Sequence, residues 1–190
     1  MNKWKVAFLV LAGALLIAIV AVFYLATSNT KQAIISDPIP LEGNVLSVET
    51  TAKEFESIAK QYLSAALNNS ALPVELAVED KIYLYSTLTV FNVEVPIQMD
   101  FQPIVSDGNI ILEQEAVHVG KINIQPKAVL KIMKDSVDFP SWIIVQPNEE
   151  EIYVDLSRIN IASGSRVRAK EIDLANDKIV LEVVIPNELN

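Results

Sequence analysis

His118 is the only histidine of the 190 residues and cysteine is absent. A metal site built from several imidazoles or thiolates is therefore impossible, and so is a disulfide framework or a lipid anchor on cysteine. A Ser-His-Asp triad would have to use His118, yet no Gly-x-Ser-x-Gly elbow presents a nucleophile. His118 sits in an alternating stretch that reads as a strand, where a lone histidine is usually structural or solvated. Asp107-Gly108 lacks the acidic ladder of a calcium loop and reads as a hairpin turn. Ser163-Gly164-Ser165 reads as a turn, and Glu149-Glu150-Glu151 as a solvated charge run. Phosphate loops and dinucleotide fingerprints are missing. A carboxylate pair for glycoside hydrolysis would depend on spatial pairing that no local motif encodes. Asn68-Asn69-Ser70 matches a glycosylation sequon, a pattern common by chance. The expectation is a non-catalytic protein without a cofactor.

The chemistry that the sequence does supply is apolar. Val6 to Ala26 run 21 residues without a charge, and 13 of them are Val, Leu, Ile or Phe. As a helix this stretch would be roughly 30 Å long, the thickness of a bilayer core. Its aliphatic and Phe residues would contribute about −4 to −8 kcal/mol to insertion. Trp4 and Tyr24 stand near its ends, where amphipathic rings favour the interface. Lys3 and Lys5 precede it, which places the N-terminus in the cytoplasm and the rest of the chain outside. A cleaved signal peptide, with Ala26-Thr27-Ser28 at the cut, is the competing reading. The apolar run exceeds the 7–15 residues of a signal core, so a retained anchor is favoured. Either reading gives a domain outside the cell.

All 24 acids and 13 of the 15 bases lie after Ala26, giving that part a formal charge of −11. Such a balance argues against nucleic acid and against docking on anionic headgroups by charge alone. The expected organisation is a cytoplasmic tip at 1–5, the anchor at 6–26, a linker at 27–44 rich in turn residues, and one domain at 45–190.

Within the domain, Phe55, Ile58, Ala59, Tyr62, Leu63, Ala66 and Leu67 recur on one face of a 3.6-residue period. They predict a helix over 51–69, opened by a Thr51-to-Glu54 capping box and ended by Asn68-Asn69 and Pro73. Strands are predicted at 73–79, 81–91, 93–101 and 110–119, and 120–125 is short and extended. Pro126 opens a second helix through Val137, and Phe139-Pro140 stops it. Strands follow at 142–145, 152–156, 166–174 and 178–185, with 159–161 a candidate extension. Short turns imply an antiparallel meander, and the grouping of elements predicts an α+β fold with helices on one face of the sheet. The first helix spans only ~28 Å, so part of a long apolar sheet face is left for the second helix or for a ligand.

The Lys-bracketed start Met1-Asn2-Lys3-Trp4-Lys5, the single apolar span and the acidic strand-rich domain together resemble the YpmS family of Gram-positive bacteria. That resemblance implies a location and no defined activity. Four segments are more loosely similar to tubular lipid-binding (TULIP-like) folds. They are the alternation over 93–101, the turn and strand over 107–112, the run 120–126 leading into a helix, and the closing 172–181. That likeness implies a curved antiparallel meander around one amphipathic helix plus a second shorter helix, enclosing an apolar groove.

Two functions are weighed. In one, the domain holds a lipid or other amphiphile between the first helix and the sheet, lined by Phe55, Ile58, Tyr62, Val95, Ile97, Met99, Phe101, Ile110 and Leu112. Each of these, taken singly, is equally an ordinary core residue. In the other, the protein is a structural or partner-binding component of the cell envelope with a self-filled core. A carboxylate hydrolase stands behind both.

Overall fold

The computed structural model describes residues 17, 43–67, 73–90, 93–120, 125–159, 161 and 164–187. The expected anchor at 6–26, apart from Ile17, lies outside them, as do linker residues 27–42, the sequon and residues 121–124. Ile17 is helical and 72% exposed. Among the described residues no helix is long and apolar enough to cross a membrane.

The fold is α+β and its strand pairings are antiparallel. Its described elements run β1 (Asn44–Thr50), α1 (Ala52–Ala66), β2 (Val74–Val78), β3 (Ile82–Val90), β4 (Val93–Ser106), β5 (Asn109–Val119), α2 (Pro126–Ser136), β6 (Ile143–Gln146), β7 (Glu151–Val154), β8 (Arg166–Asp173) and β9 (Lys178–Ile185). Both helices stand where periodicity and capping put them. At the start of α1 the Thr51 hydroxyl accepts from Glu54 N at 3.3 Å, and the Glu54 carboxylate accepts from Thr51 N at 3.3 Å. Pro126 occupies the first turn of α2.

One expectation is corrected. The strands do not form a single curved meander but two sheets, ordered β1-β9-β8 and β2-β3-β4-β5-β7-β6. The smaller sheet begins with β1, whose first residue, Asn44, falls at the end of the expected linker. β1 pairs with β9 from Asn44↔Ile185 to Thr50↔Ile179. That partner is far away in sequence, so no local turn announces the strand. Of the expected extension at 159–161, Ile159 and Ile161 are not in a strand and residue 160 lies outside the described residues; a 3-10 turn at Leu156–Arg158 follows β7.

Helix α1 is tied to both sheets by hydrogen bonds made by its first turn and by Glu56. The Ala52 N–H, a first-turn donor without a helical acceptor, donates to the Asp177 carboxylate in the β8–β9 turn at 2.7 Å. Glu56 accepts from Val78 N, at the end of β2, at 2.8 Å. Its carboxyl is held below the usual carboxylate range, first by the hydrogen bond from Lys60 and then by that from Val78. Where the larger sheet meets β8, Ala169 N donates to Gly108 O at 2.7 Å. Gly108 turns the β4–β5 hairpin at φ +79°, and a Cβ there would stand 3.0 Å from Arg168 Cβ, so glycine serves both the turn and the close approach.

The inner face of the larger sheet carries Leu76, Ile82, Leu84, Ile97, Met99, Phe101, Leu112 and Ile152, all buried. Two polar residues on that face break the pattern: Ser86, opposite Ile97, whose buried hydroxyl has no hydrogen-bond partner, and Gln114. Gln114 lies directly opposite Phe101, is 7% exposed, and neither amide atom has a hydrogen-bond partner. An orphaned buried amide costs about 1–3 kcal/mol. Gln114→Met keeps the length and removes the polar atoms, and is expected to raise stability by about 1–2 kcal/mol. Urea unfolding checks this; an unchanged or lower midpoint would show that the amide is satisfied in solution.

Candidate apolar binding site

Between the inner faces of the two sheets and α1 lies a cavity of about 340 Å³. Every layer contributes to its wall. From α1 come Phe55, Ile58, Ala59, Tyr62 and Leu63, and from the larger sheet Val74, Leu76, Ile82, Leu84, Ile110, Leu112, Ile143, Ile152 and Val154. The smaller sheet supplies Val48, Val167, Leu181 and Val183. Registers explain that last set: Val48 sits opposite Leu181, and Val183 opposite Val167, so they share one face. Phe139, Trp142, Leu156, Ile159 and Ile161 complete the lining. No lining side chain is charged. The cavity reaches the surface, because Val48, Ile58 and Ile161 in its wall are 45%, 53% and 41% exposed.

Of the nine candidate residues, Phe55, Ile58, Tyr62, Ile110 and Leu112 line this space. Val95, Ile97, Met99 and Phe101 do not. All four lie on β4, the third strand of six. Ile97, Met99 and Phe101 are buried in the closed core shared with Val129, Leu130 and Met133 of α2, and Val95 is half-buried against it. Alternation placed them on the correct face of the sheet but not against empty space. The contributions of β1, β2, β3, β6 to β9 and the 139–142 and 156–161 segments are absent from the candidates. The alternation of Leu181 and Val183 was visible in sequence; that their face turns towards a cavity was not.

The wall beside Trp142 is held by a buried polar network. Asp155 is 1% exposed; its carboxylate accepts from Ser157 Oγ at 2.5 Å and from Arg158 Nε at 2.7 Å, and its N–H donates to Trp142 O at 2.8 Å. Asn109, also 1% exposed, donates to Tyr153 Oη at 2.7 Å and accepts from Leu156 N at 2.9 Å. The Tyr153 phenol is pushed above its usual value, first by burial and then by the Asp155 charge.

The groups with conventional chemistry lie elsewhere. His118 Nε2 is 3.4 Å from Asp100 Oδ2, with the imidazole 60% exposed on the face of β5 opposite the inner one. Glu151 is raised above the usual carboxylate value by burial first and then by the charges of Glu149 and Glu113, while Gln146 Nε2 donates to it at 2.6 Å. Among the described residues no group of three His, Asp or Glu stands close enough together to hold a metal ion.

The family described as "Uncharacterized protein conserved in bacteria" (DUF2140) matches residues 2–185. The chain is also similar to "Uncharacterized protein YpmS" of Bacillus subtilis (strain 168), at 25% identity over 189 residues, which cover 99% of this chain and 100% of that protein. No solved structure matches the chain. The resemblance to YpmS proteins is thereby upheld over the whole length, whereas the looser likeness to tubular lipid-binding folds gains no support.

Proposed function

This chain belongs to the DUF2140 family, and from that premise we propose that its domain is a non-catalytic binding module for a lipid or other amphiphile, displayed outside the cell on an N-terminal membrane helix. The single observation that carries the reading is the cavity of about 340 Å³ without a charged lining residue. Its size falls in the range of roughly 300–1,000 Å³ that small-molecule sites occupy. It is a little over twice the roughly 150 Å³ of an apolar cavity that takes benzene, which corresponds to about a dozen carbons of acyl chain. Burying about ten methylenes at ~0.8 kcal/mol each supplies ~8 kcal/mol before the costs of ordering the chain. The polar end would stay outside, because the wall offers a headgroup no ion pair and the mouth opens between Val48, Ile58 and Ile161. The uncharged span 6–26 and its flanking lysines support the anchor and its orientation.

The second reading, an envelope protein acting through surface contacts, called for a self-filled core. The cavity weighs against that, although the exposed aliphatic residues at its mouth are the kind of patch such a protein would use.

Residues 32–190 form one compact unit. Native mass spectrometry of that segment, purified without detergent and followed by lipid extraction, is expected to show one bound amphiphile per chain. A clean apo mass, from cells expressing the chain with and without residues 1–31, would reject the reading and turn attention to protein partners.

A further inference from the structure

The mouth of the cavity is itself apolar and exposed. Leu46 is 55% exposed, Val48 45%, Ile58 53% and Ile161 41%. Val48, Ile58 and Ile161 are wall residues. Leu46 lies two residues from Val48 on the same face of β1, opposite Val183, and so continues the wall outward. Large aliphatic side chains left half in water around an opening mark a surface that meets another apolar phase.

The chain's own order argues which phase this is. β1 is the first described strand after the apolar span, and it carries two of the four mouth residues. Residues 27–42 can reach at most about 55 Å when fully extended, so the mouth is confined near the membrane into which the span would insert. The mouth side chains carry no charge, whereas the part of the chain beyond Ala26 carries a formal −11. An attachment made by Leu46, Val48, Ile58 and Ile161 would be hydrophobic, favouring zwitterionic or neutral lipid over anionic lipid.

Resting on the reading that the cavity holds an amphiphile, we infer that this rim docks on the outer face of the same bilayer, so that an acyl chain passes from membrane to cavity tail first without crossing water. Buried aliphatic area at the rim provides the attachment. The anchor supplies the local concentration that four side chains alone could not.

The absence of cysteine gives a clean test. Full-length chain carrying Leu46→Cys is labelled with a nitroxide and reconstituted in phosphatidylcholine vesicles. A second variant, Gln102→Cys, reports from the opposite face of the larger sheet, where Gln102 is exposed. Leu46 is not itself a wall residue, so its label reads the surroundings of the mouth and not the cavity. Docking is expected to make the label at 46 at least threefold less accessible than that at 102 to a water-soluble nickel chelate, and more accessible to oxygen. Equal accessibility of the two labels to the chelate would overturn it. Repeating the measurement with Ala59→Trp, which fills the cavity and leaves the rim, separates the two ideas. A protected label on a chain whose 32–190 segment carries no lipid keeps the docking and sinks the cavity reading. A chelate-accessible label on a chain whose segment does carry lipid does the reverse.

Discussion

Ala59→Trp is expected to lower the lipid recovered with residues 32–190 at least tenfold while the domain stays folded. Ala59 lies in the cavity wall on α1 and is half-buried, so an indole there projects into empty space and not into packed neighbours. Cavity filling normally costs little and can stabilise, because the new side chain recovers contacts that the void had forfeited. Thermal unfolding should therefore change by no more than a few degrees, while native mass spectrometry reports the loss of ligand. Ile97→Val is the matching control. Ile97 is 5% exposed in the closed core and is not a wall residue, so the variant should lose about 0.5–1.5 kcal/mol of stability and keep its lipid. Full lipid occupancy in folded Ala59→Trp would show that the amphiphile binds somewhere else.

Asp155→Ala is expected to be the most destabilising single change at the site, by about 3–5 kcal/mol. The Asp155 carboxylate is withdrawn from water and satisfied by Ser157 and Arg158. Its removal leaves the buried Ser157 hydroxyl and the Arg158 guanidinium, whose side chain is 32% exposed, without their acceptor. Because the neighbouring backbone holds Trp142 and Leu156 against the cavity, the loss should also reach the ligand. Urea unfolding measures the first effect, and lipid stoichiometry in the surviving folded fraction the second. Asp155→Asn, which keeps an acceptor for Ser157 or Arg158, should recover part of the stability. A loss below about 1 kcal/mol for Asp155→Ala would mean that water replaces the carboxylate readily.

The sequence by itself determined the elements made by neighbours along the chain. Helix α1 follows from its 3.6-residue apolar period and the Thr51–Glu54 box, whose two hydrogen bonds span three residues. Pro126 set the start of α2, and the Asp107-Gly108 turn set the β4–β5 hairpin, where both residues take positive φ. Alternation along β4 and β9 tells which side chains share a face, since successive residues of a strand must point apart. Tertiary structure alone decided what each face meets. β1 exists because β9, some 130 residues later, offers it a partner; its own residues carry no turn or period that marks them out. The division into two sheets comes from the same non-local pairing. Met99, Phe101, Leu84 and Leu112 share the inner face and one buried core, yet only Leu84 and Leu112 also line the cavity. Periodicity fixes a side chain's direction, and only the packing of the opposite layer decides whether that direction ends in atoms or in space.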